Sequence, residues 1–171
     1  MEITTKIFGK AIYSQDEGLD FDEKYISLNG RTNLCSGCIF EGLNKEQITK
    51  TQYILNELEL LDKKAHELFL KFYEEGDDIL CPFIDEHFNE YGDEIKEKIF
   101  KKLQISNQDD IAFLNNLEFG SFHISEDEGI KGVLITMDYN LIWQDGITFT
   151  DQILAINFNE NLEYISHSHD S

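Results

Sequence analysis

The spacing of apolar positions divides the chain into three stretches with different periods. In the first, "TKIFGKAIYS" alternates loosely and predicts a strand, with Gly9 at a bulge or close contact. The acidic stretch from Gln15 to Lys24 has too few apolar positions to pack and predicts a loop. "KYISLNGRTNLCSGCIF" then carries a hairpin signal. Asn29-Gly30 is a favoured pair for a two-residue type I′ turn, because both positions need positive φ. The expected strands are Tyr25–Leu28 and Arg31–Phe40, the second running past its partner.

From Asn44 the period becomes helical, with apolar residues at Ile48, Ile54, Leu55, Leu58, Leu61, Ala65, Leu68, Phe69 and Phe72. Asn44 with Gln47 three residues on forms a capping box, and Gly76 ends the run. About 30 residues is long for a globular helix, so a break is expected near Asp62. A second helix is expected from about Ile79, which places Pro82 in its first turn, where proline is tolerated. Asp93 is the expected cap of a third, carrying Ile95, Ile99, Phe100 and Leu103. Ser106, with Asp109 three residues later, predicts a further short helix.

The last third returns to strand patterns. "LEFGSFHIS" places Leu117 and Phe119 on one side and Phe122 and Ile124 on the other. "IKGVLITMDYN" is β-branched and apolar. "QILAINFN" puts Leu154, Ile156 and Phe158 on one face, and "LEYIS" follows a short turn. Strands, then helices, then strands predict an α+β fold: a largely antiparallel sheet with a central helical segment packed on one face. At 171 residues the chain is expected to form a single domain, residues 1–171, with a core that needs neither disulfide nor metal.

Charge narrows the function classes most. Thirty-four acidic residues face fourteen basic ones, a formal net charge of −20. Such a field repels phosphate, which argues against nucleic acid and anionic membranes as partners. No apolar run approaches the roughly 18 residues of a membrane helix, and the opening residues lack the order of a secretory signal. Three cysteines is an odd count and fits a reducing compartment, so the expected location is cytoplasmic.

Candidate chemistry is sparse. Cys35 and Cys38 form a Cys-x-x-Cys, but in a strand residues three apart point to opposite faces, and no helix N-terminus lies near to lower a thiol pKa. Two more ligands for a zinc site are lacking, and the spacing predicts a structural role. His167 and His169 would share a face if the last strand ran that far, with Asp170 as a further ligand; the simpler expectation is a frayed terminus. His66 and His87 fall on separate helices near acids, and His123 lies in a strand. There is no His-Glu-x-x-His, no Gly-x-Ser-x-Gly and no Gly-rich phosphate loop, and "SEDEG" fails the calcium-loop spacing. No cofactor is expected.

"KIFGKAIY", the strand pair around "ISLNGRTNLCSGCIFEG", the helix beginning "NKEQITKTQYILNEL" and the closing "QILAINFNENLEYISHSHDS" together resemble the bacterial family known as domain of unknown function two-thousand-four. The resemblance implies a small α+β protein and carries over no functional residues. In size, acidity and lack of motifs the chain is also similar to immunity proteins of bacterial toxin systems.

The function expected is therefore a protein-binding module, in its most concrete form an immunity-type inhibitor of a cationic toxin. Its expected contact surface is Asp16, Glu17, Asp20, Asp22 and Glu23 with Phe21 and Tyr25. Glu74, Glu75, Asp77 and Asp78 form a second candidate. Tyr13, Tyr91, Tyr139 and Trp143 also lie beside acids and are candidates for exposed aromatic anchors. The alternatives are a metal-dependent hydrolase built on His66, His87, His167 or His169 with carboxylates, and a non-catalytic structural or oligomerisation domain.

Overall fold

Asn29 and Gly30 take φ values of 49° and 79°, the left-handed pair that a type I′ hairpin requires, and Leu28 pairs directly with Arg31 across the turn. In the computed structural model, which describes residues 1–89, 91–127, 129, 132–142 and 147–170, this hairpin anchors a six-stranded sheet. Trp143, Glu128 of "SEDEG", and Ile130 and Lys131 at the expected start of a strand lie outside the described residues.

The elements run β1 (Glu2–Thr5), β2 (Gly9–Ile12), β3 (Leu19–Leu28), β4 (Arg31–Ile39), α1 (Lys45–Asn56), α2 (Leu58–Glu75), α3 (Leu80–Asn89), α4 (Asp93–Leu103), α5 (Asp110–Asn115), β5 (Glu118–Asp127), β6 (Gly132–Asn140), β7 (Ile153–Asn159) and β8 (Tyr164–Asp170). The fold is α+β. β1 and β2 form a separate antiparallel pair, and the larger sheet has the order β3-β4-β5-β6-β7-β8. It is mixed: β3–β4 is antiparallel and β4–β5 parallel. A parallel neighbour needs a long crossover, and the five helices between β4 and β5 supply it. Among the described residues no helix is long and apolar enough to cross a membrane.

Several boundaries differ from the sequence expectation. The first expected strand is a hairpin, β1 paired with β2, closed where Thr5 meets Gly9 and Gly9 adopts a φ of 77°. β3 begins at Leu19, inside the stretch expected to be a loop. Its acids are compatible with a strand because Phe21, Ile26 and Leu28 supply its buried positions while the acids stay exposed, and the strand lies at the sheet edge. β4 therefore does not overrun its partner; Ile39 pairs with Leu19. The capping box is present: the Asn44 side chain accepts from Glu46 and Gln47 N–H, and the Gln47 side chain accepts from Asn44 N–H. The helix break falls at Glu57, five residues before Asp62; Asp62 lies within α2 and binds Asn29 and Arg31 of the hairpin. Gly76 ends α2 with a φ of 74°. The helix after it includes Pro82 in its first turn. Gly92, not Asp93, stands at the N-cap of α4. Asp109, not Ser106, caps α5, its carboxylate accepting from Ala112 N–H.

The described residues cluster into two compact units, each assembled from three chain segments. The first contains residues 1–63, 119–138 and 156–166 and the second 64–118, 139–155 and 167–171. α2, β6, β7 and β8 each contribute to both, so no single cut in the sequence separates them. The first unit is centred on an aromatic cluster: Phe8, Phe21 and Phe122 lie 4.8–5.7 Å from one another, and Phe119 stacks 6.4 Å from Phe122. Buried Tyr13 donates to Phe40 O and accepts from Leu43 N–H, so its hydroxyl is satisfied. The second unit packs Phe83 and Phe113 against the His87 ring, Phe88 against Phe113, and Phe69 edge-on to Tyr139.

Candidate functional site

Acids and aromatics do converge on β3. Asp16 and Glu17 project from a tight turn closed by the Ser14–Gly18 bridge, and both are exposed. Asp20, Asp22, Glu23 and Tyr25 are exposed on β3 itself, Tyr25 at 62%. A register shift between Phe21 and Lys24 breaks the alternation, which is how Asp22, Glu23, Lys24 and Tyr25 all reach solvent in succession. Phe21 turns inward instead and joins Phe8 and Phe122, because an apolar ring gains more from that cluster than from water. Phe8, Asp20, Phe21, Asp22, Glu23 and Lys24 line a shallow depression of about 300 Å³. Lys24 Nζ donates to Ile7 O at 2.8 Å, so this cation is tied to the backbone at the rim.

The second acidic group is divided in use. Glu74, Glu75 and Asp78 are exposed. Asp77 is committed internally: its Oδ1 accepts from Ile79 and Leu80 N–H at 2.9 and 2.8 Å, capping α3, and lies 3.0 Å from His167 Nε2. Burial by itself would raise the Asp77 pKa, but His167 and the two backbone donors outweigh it and hold it below the usual value. Of the aromatics beside acids, Tyr13 and Tyr139 are buried, and Tyr91 is exposed and donates to Asp151 at 2.6 Å.

The terminal histidines are held, contrary to the frayed end expected. β8 runs to Asp170, and His167 stacks on Phe72 at 4.5 Å with its side chain 7% exposed. His169 lies 2.5 Å from Gln152 Oε1 and 3.4 Å from Glu86 Oε2, edge-on to Phe83. Asp170 accepts from Ser168 rather than meeting either ring. His87 is buried between the Phe83 carbonyl and the Thr150 hydroxyl, both at 2.8 Å, and burial pushes its pKa below 6.5. His66 packs edge-on to Phe69 and Tyr139. Each ring thus has its own partners, and among the described residues no three His, Cys, Asp or Glu side chains are placed to hold a metal ion.

Cys35 and Cys38 point to opposite faces of β4, as the strand period requires: Cys35 is fully buried and Cys38 half-buried. What the spacing does not reveal is the company Cys38 keeps. Its β3 partner is Asp20 and its β5 partner is His123. Cys38 Sγ lies 3.3 Å from His123 Nδ1, and His123 Nε2 lies 3.0 Å from Asp138 Oδ2 on β6. Ser121 Oγ donates to the same carboxylate oxygen at 2.6 Å, and Phe40 lies flat against the His123 ring, 7° from parallel at 6.1 Å. The His123 side chain is 43% exposed and that of Asp138 13%. Burial raises the Cys38 pKa, and Asp20 and Asp138 raise it further, so the resting thiol keeps its proton.

Compared with known proteins, the chain matches no family model, no curated protein and no solved structure. Read from the sequence, His123 falls in a strand without a role and Asp138 is not singled out, though a signal exists. Asp138 is the single charged residue within the largely apolar "VLITMDY", and His123 shares a strand face with Ser121 and Ser125.

Proposed function

We propose that this chain is an acidic protein-binding module that docks a basic protein on the β3 edge, an immunity-type inhibitor of a cationic toxin being its most concrete form. The observation that carries the reading is the exposed run on β3: Asp20, Asp22 and Glu23 around a shallow depression, with Tyr25 standing out beside them. An edge strand offers unpaired backbone groups for a partner chain, and its acids discourage self-pairing while attracting cations. Exposed carboxylates at a rim act mainly on the association rate, and that effect weakens with salt. Tyr25 supplies the aromatic anchor that such surfaces use for affinity. Glu74, Glu75 and Asp78 belong to the second unit and form a secondary patch.

The test is capture from host lysate at low and high salt, with the wild-type chain beside a triple variant, Asp20→Lys, Asp22→Lys and Glu23→Lys. A basic protein retained at low salt, weakened at high salt and lost by the variant is the expected result. For the captured protein, Tyr25→Ala should weaken binding by about 2 kcal/mol, roughly thirtyfold. Equal retention by the wild-type and charge-reversed chains overturns the assignment of the surface.

A further inference from the structure

The row Asp20, Cys38, His123, Asp138 crosses four neighbouring strands and serves no purpose that binding at the β3 edge would explain. Each link has a defined direction. Asp138 accepts from Ser121 O–H and, as a carboxylate, can only accept from His123, so Nε2 carries the ring proton when the imidazole is neutral. That leaves the Nδ1 lone pair facing Cys38 Sγ, 3.3 Å away, as the acceptor for the thiol proton. A nucleophile, a base in reach of its proton and a third group orienting that base are the three parts that thiol nucleophilic catalysis needs.

We propose that Cys38 is the nucleophile of an acyl-transfer site, taking an acyl group from a neutral or cationic ester or thioester, with His123 as its base and Asp138 positioning that base. In the step, the Cys38 S–H bond breaks and its proton passes to His123 Nδ1. The sulfur electron pair forms the S–C bond to the acyl carbon, and the C–O or C–S bond of the donor breaks. The departing oxygen or sulfur takes the proton back from Nδ1, leaving acyl-Cys38, a free alcohol or thiol, and neutral His123. Asp138 stabilises the imidazolium that exists between the two proton transfers.

Two features favour acyl transfer over redox chemistry, and a third sets the charge of the donor. Cys35, the other cysteine of this unit, is buried on the opposite face, so Cys38 has no resolving thiol there. A histidine that can return its proton to a leaving group is needed for expelling an alkoxide and is superfluous in disulfide exchange. The charged groups facing the thiol are Asp20 from β3 and Asp138 from β6, with His123 from β5 between it and Asp138, and they disfavour anionic donors. Access is open, since His123 and Phe40 are both exposed to solvent in part.

Cys81 is a built-in comparator. It is also half-buried, and its thiol is likewise raised, by burial and by Asp77, Asp85 and Asp110. Thiol acidity therefore does not separate the two, whereas a bonded imidazole does. The experiment uses the full chain with p-nitrophenyl acetate as the acyl probe, reading nitrophenolate release, intact mass and the acetylated peptide. At neutral pH Cys38 should acetylate about a hundredfold faster than Cys81. His123→Gln should bring Cys38 down to the Cys81 rate. Asp138→Asn should lower the Cys38 rate about tenfold while leaving the Cys81 rate unchanged, and Asp138→Glu should restore part of it; a merely structural role would alter both rates. Equal rates at Cys38 and Cys81 in the wild-type chain overturn the proposal without any variant having to fold. So does an unchanged Cys38 rate in a folded His123→Gln chain.

Discussion

Gly37 stands between Cys35 and Cys38, and replacing it with alanine tests how β4 seats on its core. Alanine normally improves a strand relative to glycine by about 0.5–1 kcal/mol, because glycine loses more backbone freedom on folding. Here the sign should reverse. A Cβ built on Gly37 would stand 2.5 Å from Phe122 Cδ1 and closer still to Cε1 and Cζ. Carbon atoms in contact prefer about 3.5–4.0 Å, so ring or strand must move by about 1 Å or more. Phe122 is fully buried and has Phe8, Phe21 and Phe119 within 5.5–6.4 Å, which leaves it little room. The cost should lie at the top of the overpacking range, about 3 kcal/mol. For a chain of this length that lowers the melting temperature by about 6–12 °C. Denaturant unfolding of the wild type, Gly37→Ala, Phe122→Leu and the double variant would check it. Shrinking the ring should recover more than about 1 kcal/mol of the alanine penalty, a coupling expected only for touching residues. If Gly37→Ala is neutral or stabilising, or costs the same in both backgrounds, the steric argument is wrong.

The remaining predictions concern buried polar groups. The Asp62 side chain is 1% exposed and accepts from Arg31 Nη2 and Asn29 Nδ2, both at 2.8 Å, tying the hairpin turn to α2. Asp62→Ala should cost about 3 kcal/mol in denaturant unfolding, the low end for breaking a buried pair, because Arg31 keeps some water; a loss below about 1 kcal/mol would refute it. His87 is held neutral by burial, with a folded pKa below the ordinary 6.5. Below pH 6.5 the unfolded chain therefore binds a proton that the folded chain refuses, and stability falls as pH drops until the folded value is passed. Acidic self-repulsion relaxes over the same range, so the readout is the difference between the wild type and His87→Gln from about pH 7.5 to about pH 5. The wild type should lose more stability than the variant on acidification, and parallel curves would show that His87 does not titrate as argued.

Local chemistry decided much of this fold in advance. The Asn29-Gly30 turn, the Asn44–Gln47 capping box, the stop at Gly76 and the placing of Pro82 depend on backbone preferences and bonds within a few residues, and these are written in the sequence. So is the α+β order, since the helical period separates two stretches of strand period. The misplaced boundaries share one cause. β3 extends into an acidic segment because it pairs with β4 along its length, and Asp62, inside α2, is engaged by a hairpin some 30 residues earlier. The terminal histidines would fray alone, but β8 pairs with β7 and Asp77 and Gln152 hold the rings. The acidic charge belongs to the sequence outright; which acids reach solvent and which cap or pair, as Asp77 does, belongs to packing. Cys38, His123 and Asp138 show the limit most plainly. They come from strands separated by up to a hundred residues, and only strand order and register across the sheet bring a sulfur, an imidazole and a carboxylate within bonding distance.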